Sequence, residues 1–279
     1  MSDPARPAAQ PWPIVALDVD GTILDHDGGL TDRVRDAVRA VADSGREVVL
    51  STGRSLIATT PVLDRLDLTH GYAVTSNGAV TLRLDPSIDA GYEIADLVTF
   101  DPRAALTLLR EHLPQAVYAV EELGTGFRLT APFPKDELIG KMTIVPFEEL
   151  FEQPATRVVV RSPEHTPEDF LQLVERLGLH GGSYTVGWTA WLDIAPEGVS
   201  KAHGLAFVAD SLGVPASDVL AVGDGRNDLE MFAWAGRSVA MGQAPPEVRE
   251  AADQTCADVY ADGLADVLEN LVGEGNRPG

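Results

Sequence analysis

Four short apolar runs, each ending abruptly in polar residues, constrain the fold of this 279-residue chain more than any other feature. The runs lie within the predicted strands 14–17, 47–51, 72–75 and 219–222. They lack the alternation of a half-exposed strand, so they predict strands buried on both faces, as in a parallel sheet. Segments with helical spacing separate the first three runs. The resulting order of strand, helix, strand, helix, strand is typical of βαβ units.

Amphipathic segments between these runs predict the helices. Thr31 is expected to cap the first helix. A helix over 55–66 is expected to be disturbed near Pro61, because proline lacks the N–H that a helix interior uses. Leu212 is expected on the buried face of a helix that Ser200 caps. The other predicted helices cover residues 101–113, 167–177, 229–235, 246–252 and 264–271.

The stretch from about Leu84 to Pro196 has a different, irregular pattern with many turns. After Pro196 the first pattern returns, which predicts an α/β core built from both ends of the chain and interrupted by an α+β domain. The short strands of the insert are predicted at 127–130, 157–161, 183–186 and 188–194. The predicted parts are a disordered N-terminus (1–12), the discontinuous core (13–83 and 197–272), the insert (84–196) and a disordered tail (273–279).

The charge balance excludes two classes of partner. Lysine and arginine number 21 against 43 aspartates and glutamates, a formal net charge of −22. Nucleic acids and anionic membranes attract basic surfaces, so neither is an expected partner. Cys256 is the single cysteine, which excludes an internal disulfide. With no apolar stretch long enough to span a bilayer and no signal-peptide pattern at the start, we expect a cytoplasmic protein.

The polar residues that follow the apolar runs are expected to meet at one edge of the sheet, because ligands bind beyond the carboxyl ends of parallel strands. These stretches are Asp18-Val19-Asp20-Gly21-Thr22, Ser51-Thr52-Gly53-Arg54, Ser76-Asn77-Gly78 and Gly223-Asp224-Gly225-Arg226-Asn227-Asp228. Carboxylates so close together need a cation. Their hard oxygens suit Mg²⁺, and glycines let backbone N–H groups approach an anion. The composition therefore predicts Mg²⁺ and a phosphate group.

Four stretches in order resemble the four motifs of the haloacid dehalogenase (HAD) superfamily. They are Asp18-x-Asp20-Gly21-Thr22, Thr52-Gly53-Arg54, Lys201, and Gly223-Asp224-x-x-Asn227-Asp228. Ser76-Asn77-Gly78 and the approach from Leu192-Asp193-Ile194 to Ser200-Lys201 are similar to the Cof-type, class IIB sugar-phosphatase-like branch. The resemblance implies a Rossmann-like parallel-sheet core with an inserted α+β cap of the C2B type.

The resemblance also implies roles for single residues. Asp18 would be the nucleophile that forms an aspartyl phosphate, and Asp20 the acid and base that serves the leaving group and the water. Thr52 and Lys201 would bind the phosphoryl group, Lys201 also offsetting the charge of the nucleophile. The further phosphate-binding residues would be Gly53, Arg54, Asn77, Gly78 and Asn227. Mg²⁺ would be bound by Asp18, the backbone carbonyl of Asp20 and Asp224, with Asp228 at the metal or orienting its waters.

The implied function is a Mg²⁺-dependent phosphatase acting on small phosphorylated metabolites such as sugar phosphates, as a monomer or weak homodimer. Asp20 argues against a transport ATPase or a dehalogenase, both of which lack this acid. It leaves open a phosphomutase similar to phosphomannomutase, and a non-catalytic sugar-phosphate-binding regulator is a further alternative. Each motif also has a plain reading as a turn or a helix cap. For Lys201 that reading is weak, because a cation in a first helical turn opposes the macrodipole.

Within the insert, a few side chains are candidates for a surface that contacts substrate. They are Glu121, Glu122, Arg128, Trp188 and Trp191. A tryptophan in a β-rich unit is more often part of the core, and an arginine such as Arg128 is as often at the surface.

Overall fold

The computed structural model describes residues 12–134, 137–177, 182–186 and 190–275. The chain divides into two compact units, one formed by Met1–Leu50 with Ala206–Gly279 and the other by Ser51–Leu205. The boundaries of these units differ from the predicted domain boundaries. The domain boundaries therefore stay a prediction. Of the two segments predicted to be disordered, residues 1–11 and 276–279 lie outside the described residues.

The strands, in chain order, are β1 (Ile14–Leu17), β2 (Glu47–Ser51), β3 (Gly71–Thr75), β4 (Val80–Leu84), β5 (Tyr92–Leu97), β6 (Val117–Glu122), β7 (Gly126–Leu129), β8 (Lys141–Ile144), β9 (Val158–Arg161), β10 (Gly182–Val186), β11 (Trp191–Pro196), β12 (Val219–Gly223), β13 (Arg237–Ala240) and β14 (Gln254–Thr255). The helices are α1 (Asp32–Asp43), α2 (Leu56–Leu66), α3 (Arg103–His112), α4 (Pro167–Leu177), α5 (Lys201–Leu212), α6 (Leu229–Trp234), α7 (Pro246–Ala251) and α8 (Gly263–Gly275). Among the described residues, no helix combines the length and apolar character needed to cross a bilayer.

The first unit contains parallel strands in the order β14-β13-β12-β1-β2. β1 and β12 are completely buried, as the uninterrupted apolar runs predict. In the register of the sheet, Leu17 lies opposite both Val222 and Leu50. The residues that follow β1 and β12 therefore emerge side by side. Thr31 caps α1 by accepting the N–H of Val34, which confirms the predicted helix start.

The second unit contains two sets of strands. β3, β4 and β5 are neighbours and antiparallel. A six-stranded sheet has the order β10-β11-β9-β6-β7-β8, in which only the β7–β8 pair is parallel among the pairs described. Its core includes Leu106 and Leu109 of α3, Tyr118 of β6, Val158 of β9 and Phe170 of α4. The insert thus has the predicted core of its own, with α3 and α4 packed on the sheet.

Several predicted details differ from the structure. α2 continues through Pro61, because its buried residues before and after the proline keep both halves of the helix packed. Leu212 is 40% exposed, since it is the last residue of α5. α8 extends to Gly275, so residues 273–275 are helical and the prediction of a disordered tail is wrong for them. Strands β4, β5, β6, β8 and β14 were not predicted, because they are short or carry charged residues that break the apolar pattern.

Candidate functional site

Three buried carboxylates form a cluster in the first unit. Asp18 follows β1 directly, Asp224 follows β12 directly, and Asp228 ends a short 3₁₀ turn after Asp224. Their exposed fractions are 5%, 3% and 0%. One carboxylate oxygen from each residue lies within 4.8 Å of the others. The neighbouring positions of β1 and β12 bring together residues that are 206 positions apart in the chain.

Backbone contacts hold the loop of Asp224 in place. Oδ2 of Asp228 accepts the N–H groups of Asp224 (2.9 Å) and Gly225 (2.8 Å). Gly21 has a φ of +81°, and a Cβ at this position would overlap the Asp224 carboxylate. Glycine is therefore required at 21 for both its conformation and the close approach of Asp224. Asn227 is also predicted at the site, and its Oδ1 occupies the space that a Cβ at Gly225 would need.

The donor set of this cluster fits a hard divalent cation. Three carboxylates at this spacing, all removed from water, repel one another unless a cation or protons offset their charge. Oxygen ligands of this kind suit Mg²⁺. One oxygen of Asp228 is already engaged by two backbone N–H groups, so the roles of Asp18 and Asp224 toward a metal are the more direct. The Asp20 side chain is exposed. The sequence predicts that Asp20 binds the metal through its backbone carbonyl, and this stays a prediction.

A second group of predicted residues comes together in the second unit. The N–H of Asn77 donates to the carbonyl of Thr52 (3.0 Å), and the N–H of Ser76 donates to the carbonyl of Arg54 (2.8 Å). The Thr52 hydroxyl accepts the N–H of Arg54 (3.1 Å). Gly53 lies against Asn77, since a Cβ at 53 would be 3.0 Å from Oδ1 of Asn77. Backbone hydrogen bonds therefore hold the 52–54 loop and the 76–78 turn against each other.

Lys201 adjoins the same turn. Gly78 has a φ of +97°. A Cβ at this position would overlap the carbonyl of Ser200 and lie 3.3 Å from the backbone nitrogen of Lys201. Lys201 is the first residue of α5, and it is fully buried. A buried ammonium needs compensating polar or anionic groups, so this position is not that of a surface lysine.

The 76–78 turn is strained. Ser76 (φ +50°) and Asn77 (φ +53°) are consecutive non-glycine residues in the left-handed region. Such residues each cost about 1–3 kcal/mol and persist where their surroundings hold them. The Ser76 hydroxyl donates to Oε2 of Glu121 (2.7 Å), a residue of β6 in the insert. Glu121 thus supports the turn that carries Asn77, a role for which the sequence contains no local signal because 45 positions separate the two residues.

Glu121 occupies a buried polar environment. The same Oε2 accepts the Thr156 hydroxyl (3.3 Å), and Arg157 nearby is paired with Asp193 (2.6 Å). Burial raises the pKa of the Glu121 carboxyl above its ordinary value, and the charge of Arg157 and the Ser76 and Thr156 hydroxyls lower it only in part. Ionisation of Glu121 therefore costs the folded protein free energy.

Glu121→Gln is expected to make stability less dependent on pH. The folded-state pKa of Glu121 is raised, so its contribution to stability is fully present below the ordinary value of 4.5 and is lost as pH rises. Glutamine keeps an oxygen for both hydroxyls and does not ionise. Between pH 4.5 and 7.5, the unfolding free energy of the wild type should therefore fall relative to that of the variant, measured by urea denaturation. Glu122→Gln, at the next position, is the matched control, and a difference that does not change with pH would contradict the role of burial.

The other insert candidates have structural partners. Arg128 donates to the carbonyl of Glu149, and Trp191 donates from Nε1 to Asp193 (2.8 Å) and packs edge-on against Phe133. Glu122 is partly exposed at the end of β6, and Trp188 lies outside the described residues. The structure therefore gives Arg128 and Trp191 contacts within the insert itself.

Comparison with known proteins identifies the family of this chain. Residues 15–268 match the family described as haloacid dehalogenase-like hydrolase. The proposed phosphatase YxeH of Bacillus subtilis (strain 168) is 30% identical, over 94% of this chain and 98% of YxeH. The 5-amino-6-(5-phospho-D-ribitylamino)uracil phosphatase YitU of the same organism is 26% identical, over 92% of this chain and 96% of YitU.

Solved structures show the same fold. BT1666 from Bacteroides thetaiotaomicron, a phosphatase of the HAD superfamily, superposes with a TM-score of 0.78 at 27% identity, covering 97% of this chain and 99% of its own. The HAD subclass IIB sugar phosphatase BT4131 gives 0.77 at 20% identity, covering 92% and 98%. These likenesses confirm the predicted fold class, a Rossmann-like core with an inserted α+β cap.

Proposed function

Because the chain belongs to the haloacid dehalogenase-like hydrolase family and is a phosphatase of that family, we propose that it hydrolyses small phosphorylated metabolites with the help of Mg²⁺. The reaction would pass through an aspartyl phosphate. One observation carries the proposal: Asp18, Asp224 and Asp228 are buried together at the ends of two neighbouring strands. Carboxylates buried at this spacing repel one another, and a bound divalent cation would offset that repulsion.

In the proposed first step, a carboxylate oxygen of Asp18 attacks phosphorus. A bond forms between that oxygen and phosphorus, while the bond from phosphorus to the leaving oxygen breaks and Asp20 gives that oxygen its proton. Asp20 then takes a proton from water, the water oxygen attacks phosphorus, and the Asp18–phosphorus bond breaks. Inorganic phosphate leaves, and both aspartates return to their starting states. The exposure of Asp20 supports this role, because its carboxyl can meet both the leaving group and water.

The acidic cluster would hold the metal through Asp18 and Asp224, with the backbone carbonyl of Asp20 as a further ligand. When bound, Mg²⁺ would supply charge neutralisation for the nucleophile and the phosphoryl oxygens. Asp228 holds the Asp224 loop through two backbone N–H groups, which supports a positioning role for it. Oxygen ligands and a phosphate substrate favour Mg²⁺ over softer metals.

The residues of the 52–54 loop and the 76–78 turn, with Lys201 and Asn227, would bind the phosphoryl group. Thr52 and Lys201 would contribute a hydroxyl and a positive charge. Gly53, Arg54, Asn77 and Gly78 would add backbone and side-chain donors, which the interlocked loop and turn hold in fixed positions. In phosphoryl transfer, such positioning and charge neutralisation provide most of the rate enhancement.

The insert over 84–196 would serve as the cap that excludes bulk water and selects the leaving group. The hydrophobic core within the insert supports this role. Sugar phosphates and related polyol phosphates fit the proposed substrate class, to which the ribityl phosphate named as the substrate of YitU also belongs. A cytoplasmic location and a monomer or weak homodimer stay predictions from the sequence.

The proposal is tested by phosphate release from a panel of metabolites and an aryl phosphate, with Mg²⁺, with EDTA, and with Mg²⁺ restored after EDTA. We expect metal-dependent release. Conversion of a hexose 1-phosphate to its 6-phosphate without release would identify a phosphomutase instead. Binding of a sugar phosphate with no turnover of any compound would identify a regulator and overturn the hydrolytic mechanism.

A further inference from the structure

Gln243, which follows β13 in the first unit, connects three separate segments of the chain. Its Nε2 donates to the carbonyl of Gly21 (2.6 Å) and to Oδ2 of Asp224 (3.3 Å). Its Oε1 accepts the N–H of Val259 (3.0 Å). These partners are 222, 19 and 16 positions away in sequence. One side chain thus contacts the loop after β1, the loop after β12 and the segment before α8.

The three partners determine the orientation of the Gln243 amide. A carbonyl and a carboxylate can only accept hydrogen bonds, and the N–H of Val259 can only donate one. A flipped amide would place its oxygen against two acceptors and its NH₂ against a donor. The hydrogen-bonding chemistry therefore keeps both N–H groups of Gln243 directed at Gly21 and Asp224.

The contact with Asp224 reaches the acidic cluster itself. Oδ2 of Asp224 accepts from Gln243, and it is also the nearest atom that a Cβ at position 21 would meet, so only glycine fits there. The Gln243 amide holds both Gly21 and Asp224, so it sets the distance between the loop that contains Asp18 and Asp20 and the loop that contains Asp224. A neutral donor does this without cancelling the carboxylate charge, whereas a lysine or arginine here would compete with a cation.

We infer that Gln243 is a positioning residue for the metal site, orienting the Asp224 carboxylate against the Gly21 loop. The inference rests on the proposed function in that it takes the Asp18–Asp224–Asp228 cluster to bind a divalent cation. Groups that hydrogen-bond to a metal-ligating carboxylate change metal affinity by about 10–100-fold when removed. Gln243 does not touch the substrate in this role, and its effect acts through Asp224.

The test uses Gln243→Met, which preserves the length and approximate volume of the side chain and removes both hydrogen-bonding groups. Mn²⁺ binding to the substrate-free protein is measured by the loss of the free-ion electron paramagnetic resonance signal. We expect affinity for Mn²⁺ to fall by about tenfold. The thermal midpoint without metal should stay close to that of the wild type, and the KM for an aryl phosphate at saturating Mg²⁺ should change little. Gln254→Met is the matched control, because Gln254 bonds to Arg237 instead of the acidic cluster.

Wild-type affinity for Mn²⁺ in Gln243→Met would overturn the positioning role and leave the proposed function intact. A wild type that bound no Mn²⁺ would overturn the metal site, and the role of Gln243 with it. Gln243→Ala is the second variant and should show the same loss of affinity. If neither variant folded while Gln254→Met did, Gln243 would be a stability residue and the inference would be wrong.

Discussion

Asp18→Asn should lower the rate of phosphate release by on the order of 10⁴-fold or more while leaving the fold intact. The amide has nearly the same shape as the carboxylate, but it is not a nucleophile and cannot form the aspartyl phosphate. The substitution also removes one negative charge from three buried carboxylates that lie within 4.8 Å of one another. We therefore expect the thermal midpoint of the metal-free variant to equal or exceed that of the wild type.

The measurements are the rate of phosphate release with Mg²⁺ and thermal unfolding without metal. Asp27→Asn is the matched control, since Asp27 is exposed on the same loop and lies outside the acidic cluster. It should retain wild-type turnover. If Asp18→Asn kept more than a tenth of the wild-type kcat, the covalent mechanism would be wrong.

Lys201→Ala should lower kcat by on the order of 10²–10³, the usual cost of losing one group that stabilises charge in the transition state. Lys201 is fully buried at the first residue of α5, where the helix dipole disfavours a cation. Burial and the helix dipole both disfavour a lysine at this position, so we expect Lys201 to bind the phosphoryl group. Steady-state kinetics at saturating Mg²⁺ measure the effect.

Lys141→Ala is the control for Lys201, because Lys141 is exposed on β8 and its loss should leave kcat unchanged. Lys201→Arg keeps the charge in a larger group that a fully buried position accommodates poorly, so an intermediate kcat is expected. A loss of less than tenfold in a well-folded Lys201→Ala protein would exclude a direct role in phosphoryl transfer.

The sequence predicted the parts of the site that lie at strand ends. Asp18 and Asp224 could be placed because β1 and β12 are continuous apolar runs, and such runs identify buried parallel strands from local composition alone. The same holds for Thr52 after β2. β4 and β5 were not predicted, because they form through antiparallel pairing, β4 with β3 and β5 with β4, and not through a local apolar run. β-Strand formation depends on such neighbours more than helix formation does.

The supporting contacts of the site could not be predicted. Gln243 reaches Gly21 across 222 positions, and Glu121 reaches Ser76 across 45. Neither residue belongs to a motif with fixed spacing, and a glutamine or a glutamate has no local pattern that identifies its partner. Glu121 was a candidate for contact with substrate, whereas the structure places its carboxylate under the strained 76–78 turn.

The sequence by itself determined the strand ends, the polar residues that follow them and the resemblance that assigns their chemistry. These features are local, since burial on both faces of a strand and a turn at its end depend on a few consecutive residues. Only the tertiary structure decided the order of the strands, the burial of Asp18, Asp224 and Asp228 in one cluster, and the hydrogen bonds of Gln243 and Glu121. Those features depend on which distant surfaces pack together, and that is a property of the whole folded chain.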